Sequence, residues 1–227
     1  AIIPTIILQI VADIKEFGSN TDTDKPIERL LFEGANILVQ VIKDAIGTKG
    51  ARLSTQISIA GRMLVYLPHE CHIGISQRIE DNAERESLRE KLQHVLPPED
   101  KGGYIIRTMA EAASESDLRA DIEYLHKLWH DIQNKSLSAS PPALLYQDLD
   151  LSHRVLRDFV DETITGIVVD SRETHQKLTA FALNYMSNVT DKIDHYTGER
   201  PLFDLYGVEE EIEKSLSRRV NLKSGGY

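Results

Sequence analysis

The hydrophobic period of this chain changes repeatedly along its length, and no other feature limits its fold as much. Residues 57–68 (ISIAGRMLVYLP) and 104–106 (YII) are short, apolar and rich in β-branched residues, so they read as strands. Around them the period lengthens to three and four: Leu88, Leu92 and Val95, then Leu118, Ile122, Leu125, Trp129 and Ile132. That spacing predicts two helices, over 82–95 and from Ser114 to beyond Ile132, each with one buried stripe. Pro97-Pro98 stops the first, and Ser114 with Asp117 three residues on offers a capping box for the second. NILVQVIKD (36–44) is a further strand, and Gly61 inside 57–68 marks a bulge or a close backbone approach. After residue 142, strand ALLYQ, a helix near 152–161, strand TGIVVD and helix SRETHQKLTAFALNYM alternate. A last helix, VEEEIEKSLSRRV, is acidic at its start and basic at its end, as the helix dipole prefers. Mixed periods of this kind imply an α+β or α/β protein.

Organisation follows from the polar stretches. NKSLSASPP (134–142) has linker composition, GSNTDTDKP (18–26) is a polar loop, and AIIPTIILQIV (1–11) is strand material. The chain opens without methionine and stops at LKSGGY, so it reads as a piece of something longer. A formal net charge of -10 argues against a broad nucleic-acid-binding surface, but leaves room for a small basic site. The single cysteine, Cys71, allows no internal disulfide and suits a reducing cytoplasm. The longest uncharged apolar run, Ala1 to Ala12, is too short for a helical membrane span.

Several residue groups could carry chemistry. Asp148 and Asp150, two apart after a strand, could bind Mg²⁺, but as a pair they also suit a strand-to-helix turn with one near an N-cap. His69, Cys71 and His72 lack the fourth ligand that zinc requires, and a polar loop explains them better. No GxSxG, Walker or GxGxxG motif occurs. Lys43, Lys49 and Arg52 flank the glycine turn GTKG and could grip phosphate, or could be the charges of an ordinary hairpin. Arg107-Thr108 ends the apolar strand with a guanidinium fork and a hydroxyl. These could hold a phosphate or carboxylate, though on these residues alone a salt bridge is favoured.

Six segments change that balance: ILVQVIKDAIGTKGARLSTQISIAGRMLVYLP, HIGISQRIE, GYIIRTMAE, LLYQDLDLSHRVLRDFV, IVVDSRETHQKL and HYTGERPLFDLYGVEEEIEKSLSRRVNLKSGG. Together, in this order, they closely resemble the bacterial RNase E/G endoribonuclease family from about residue 27 to 226, with GTKGARLST and RVLRDFV nearer the RNase G branch. The resemblance implies a partial OB-fold RNA-binding barrel over 1–55, a sensor of RNA 5′ ends over 56–151 and a degenerate RNase H-like domain over 152–227. It implies a parent that cuts single-stranded RNA with Mg²⁺ in the cytoplasm, acts as a homo-oligomer and holds its metal outside this chain. The expected fragment therefore binds without cutting. A naturally short, non-enzymatic RNA-binding or scaffold protein is the competing class.

The resemblance also assigns residues. Arg107 and Thr108 of the RTxxE pattern would bind a 5′-monophosphate. In the AGxxLV pattern, Gly61 would lie close to that phosphate and Val65 beside the terminal nucleotide. Lys43 and Lys49, with Arg52 nearby, would contact the RNA backbone. Two departures stand out: Gln77 replaces an arginine of the usual SRRIE, and residues 1–11 do not match the family's barrel strands.

Overall fold

The computed structural model describes residues 7–10, 36–161 and 163–226. The polar loop expected over 18–26 lies outside the described residues, as does the expected strand over 1–11 apart from its segment Ile7–Ile10. The chain divides into two compact units at Asp158/Phe159.

The first unit contains two four-stranded sheets. One has the order β3-β2-β1-β8, from β1 (Ile7–Ile10), β2 (Ile37–Lys43), β3 (Arg52–Ser54) and β8 (Ala143–Tyr146), all antiparallel. The other has the order β4-β5-β7-β6, from β4 (Ile59–Ala60), β5 (Leu64–Leu67), β6 (Ile73–Ile75) and β7 (Gly103–Ile106). Here β7 is central, antiparallel to β5 and parallel to β6. The parallel pair needs a crossover, and helix α1 (Asn82–Val95) supplies it. Among the described residues the strands close no barrel.

Both helices form where the apolar period sets them. Asp81 caps α1 by accepting from the Ala83 N–H, and Leu96 ends it in extended backbone ahead of Pro97. Helix α2 (Glu115–Ser138) starts with the expected capping box, in which Ser114 and Asp117 each accept the other's backbone N–H. Its buried face, from Leu118 to Ile132, lies over β4 and β5 and reaches β8. Leu88 and Leu92 of α1, Leu118 and Leu125 of α2, and Leu64, Tyr104 and Ile106 of the sheet form the core, each fully buried or nearly so. Each such aliphatic side chain is worth about 1.5–3 kcal/mol of burial.

Two expectations change here. Residues 134–138 continue α2 rather than starting a linker. Once a helix is nucleated each added residue gains a hydrogen bond, and Ser136 and Ser138 also bond back to the preceding turn. The run 57–68 is not one strand but a hairpin, because β4 and β5 are antiparallel neighbours reversing at Gly61.

The second unit is built on a strand–helix–strand crossover. Strand β9 (Ile167–Val169) leads to helix α4 (Arg172–Tyr185), a 3₁₀ segment Ser187–Lys192 and β10 (Ile193–His195), which pairs parallel with β9. The preceding α3 (Leu151–Phe159) spans the division between the units. Leu178, Ala182, Val189 and Ile193 are buried in this second unit. Two further helices, α5 (Leu202–Leu205) and α6 (Val208–Leu216), follow. The described residues thus form a mixed α+β protein with small sheets and six α-helices.

Candidate functional site

The chemistry converges on the reversal between β4 and β5. A tight turn leaves several N–H groups without strand partners, and buried donors must find acceptors. Gly61 N–H donates to the Leu64 carbonyl at 2.8 Å. The next three N–H groups, of Arg62, Met63 and Leu64, all donate to the carboxylate of Asp121 at 2.8–2.9 Å. Asp121 lies on α2, 7% exposed. Its burial pushes the carboxyl above the usual carboxylate range, opposed by those three N–H groups and by the charge of Arg157.

This packing explains Gly61. A β-carbon there would lie 2.6 Å from both Asp121 carboxylate oxygens, so only glycine leaves room for the acceptor. The close approach anticipated at this glycine is therefore real, and the approaching group is Asp121.

Carbonyls on the same turn hold two arginines. Nη1 of Arg107 donates to the carbonyls of Gly61 and Arg62. Nη1 of Arg157 donates to the Ala60 carbonyl at 2.8 Å, while its Nε and Nη2 form a fork on Asp158 at 2.7 and 3.0 Å. Burial disfavours the Arg157 charge, but the Asp158 carboxylate outweighs it and raises the guanidinium pKa. The partners of Arg107 are thus carbonyls, where the residues alone had favoured a salt bridge.

Strand register places the rest. The Arg107 N–H extends the ladder to the Met63 carbonyl at 2.8 Å. Val65 pairs with Ile105, two residues before Arg107, so Val65 and Arg107 share one sheet face. Thr108 opens a 3₁₀ turn, Thr108–Ala110, directly after Arg107. Gly61, Val65, Arg107 and Thr108, singled out from separate motifs, therefore come together at one end of the β5–β7 pair.

Lys43, Lys49 and Arg52 belong to the other sheet. Lys43 lies opposite Arg52 in the β2–β3 register, and Lys49 closes the hairpin tip through its bridge to Ile46. Gly47 takes φ 58°, a left-handed conformation that suits glycine in such a turn. All three cations are exposed. Two like charges facing each other across a ladder repel, which an anion between them would relieve.

The carboxylate pair is otherwise engaged. Asp148 pairs with Arg154. Asp150 accepts from the His153 N–H, the Ser152 hydroxyl and the His153 ring at 2.7–2.9 Å, and so caps α3. Partial burial works against its charge, but these donors prevail and hold its pKa at about 2. His69 stacks edge-on to Trp129, His72 meets Glu70 at 3.0 Å, and Cys71 is exposed. Among the described residues no three His, Cys, Asp or Glu side chains are grouped to hold a metal ion. No described helix is long and apolar enough to cross a membrane.

Asp121 and Arg157 escaped the sequence reading. Both carried a signal: Asp121 sits three after Leu118 and four before Leu125, inside an apolar stripe, and Arg157 directly follows the buried Leu156. A charge in phase with a core face calls for a buried partner.

Comparison with known proteins finds ribonucleases of similar sequence. Ribonuclease G of Salmonella typhimurium is 44% identical over 205 residues, covering 90% of this chain and 42% of that protein. Ribonuclease G of Haemophilus influenzae is 41% identical over 89% of this chain and 41% of its own length. Ribonuclease E of a Nostoc strain is 36% identical over 90% of this chain and 30% of its own. The chain thus spans about two-fifths of the length of these ribonuclease G relatives. A profile of the ribonuclease E/G family matches residues 58–227, covering the β4–β5 reversal, Arg107 and all of the second unit, and the chain belongs to that family.

Proposed function

We propose that this chain recognises the 5′-monophosphorylated end of single-stranded RNA for a cytoplasmic, homo-oligomeric endoribonuclease of RNA processing and decay. The observation that carries the reading is the tethering of Arg107. Its Nη1 is fixed by the Gly61 and Arg62 carbonyls, so the guanidinium is held in place before any ligand arrives. Its remaining donors and the Thr108 hydroxyl form a compact set suited to one phosphate group. Val65, on the same face, offers an apolar surface to the terminal nucleotide. Lys43, Lys49 and Arg52 contact the backbone of the same RNA.

In this reading residues 1–55 are the partial OB-fold barrel, 56–151 the end sensor and 152–227 the RNase H-like domain. The role given to these residues is binding, and the Mg²⁺ that the resemblance implies has no ligand assigned among them. A triphosphate adds bulk and charge that two or three donors do not match, and a hydroxyl offers the guanidinium no anion.

The test is a fluorescence-anisotropy titration at fixed salt with a short RNA carrying either a 5′-monophosphate or a 5′-hydroxyl. Wild type is expected to prefer the monophosphate. Arg107→Ala is expected to remove about 1.5–3 kcal/mol from that binding and to leave the hydroxyl form nearly unchanged. Equal affinity of wild type for both RNAs would refute the sensor.

A further inference from the structure

A recess lies at the other end of β7, where Asp100, Tyr104 and His126 are bound to one another. Tyr104 hydroxyl donates to Asp100 at 2.5 Å, and the His126 ring nitrogen lies 2.9 Å from the same carboxylate oxygen. The second Asp100 oxygen accepts the Gly102 N–H at 2.9 Å, and the Asp100 side chain is only 5% exposed. This anchor fixes His126 in the wall of an open groove of about 420 Å³, within the roughly 300–1,000 Å³ of small-ligand clefts.

The groove has an unusual lining. His126, Trp129, His130 and Gln133 stand at helical spacings of three and four along one face of α2, and Tyr66 completes the wall. Trp129, expected in the buried stripe, instead lines this groove with its ring edge-on to His69. Four ring systems therefore border a space that no described element fills. Glu99 and Lys101 stand at the same groove, one an acceptor and one a cation.

From this geometry we infer a subsite for one unpaired nucleobase of RNA, bearing an exocyclic amino group and stacked among the rings of Trp129, His126 and His130. Rings accept any base face, and single-stranded RNA is commonly held this way. Glu99 accepts from the amino group, and Lys101 meets the adjoining phosphate. Adenine and cytosine carry that amino group and uracil does not. The inference rests on the RNA-binding function proposed above, but uses none of the residues assigned to the 5′ end.

Trp129 is the only tryptophan, so its emission reports directly on the groove. The whole chain is titrated with 5′-hydroxyl penta-adenylate and with penta-uridylate. Expected is saturable quenching by the adenylate, with the uridylate at least about fivefold weaker. Lys101→Ala with His130→Ala, both at exposed positions, is expected to shift the adenylate midpoint about tenfold or more. Arg107→Ala is expected to leave that midpoint unchanged. Absence of saturable quenching, or an unchanged midpoint in the double variant, would overturn the subsite. Quenching that persists while wild type shows no monophosphate preference removes the sensor alone, whereas preference without quenching removes the groove alone.

Discussion

Replacing Gly61 by alanine tests the architecture of the turn most directly. The new methyl group would lie 2.6 Å from both Asp121 carboxylate oxygens, about 0.8 Å inside an ordinary contact. The carboxylate cannot swing away without releasing the N–H groups of Arg62, Met63 and Leu64. Losing one to two such charge-assisted bonds in a buried site costs about 2–4 kcal/mol. Asp121→Ala strands the same three donors and is expected to cost about 3–5 kcal/mol. The decisive quantity is their coupling. With the carboxylate gone, the three atoms nearest a Gly61 β-carbon are removed, so Gly61→Ala should add little and the double variant should resemble Asp121→Ala, with a coupling energy of about 2 kcal/mol or more. Urea denaturation followed by Trp129 emission gives all four stabilities, provided the m-value is unchanged. Additivity within about 0.5 kcal/mol would refute the claim that Gly61 exists to admit Asp121.

Gly102→Ala would drive a β-carbon into the Tyr66 ring, and is expected to destabilise the chain by about 1–3 kcal/mol and to change the near-UV dichroism of that aromatic cluster. Asp150 has a folded pKa of about 2, below its ordinary 3.8, so its contribution to stability is fully present above pH 3.8 and is lost as the pH falls through 2. The stability gap between wild type and Asp150→Ala should therefore be constant near neutral pH and shrink toward pH 2 in denaturation midpoints; a gap independent of pH would refute the charged cap. Arg107→Ala and the groove variants complete the set through the RNA titrations described above.

Local order in this protein was legible in its residues. The period of Leu88, Leu92 and Val95 located α1, and the Ser114–Asp117 box located the start of α2, because capping and periodicity involve neighbours within one or two turns. Gly61, Val65, Arg107 and Thr108 were marked by the resemblance to the RNase E/G family rather than by local period. What local pattern cannot show is which distant group occupies the space beside a residue. Arg107 lies 46 residues from the Gly61 carbonyl it grips, and Asp121 lies 59 residues from the Arg62 N–H it accepts. Only the pairing of β5 with β7 and the seating of α2 beneath them brought these groups together. Trp129 makes the same point: its spacing matched a buried stripe, but burial depends on which helix face finds a partner, and beside Trp129 the packed layers stop and a groove begins. Spacing along the chain determined the elements, and the family resemblance marked the residues worth watching. Contacts between elements decided that a carboxylate shapes the turn, that carbonyls hold the arginine, and that an aromatic face is left open.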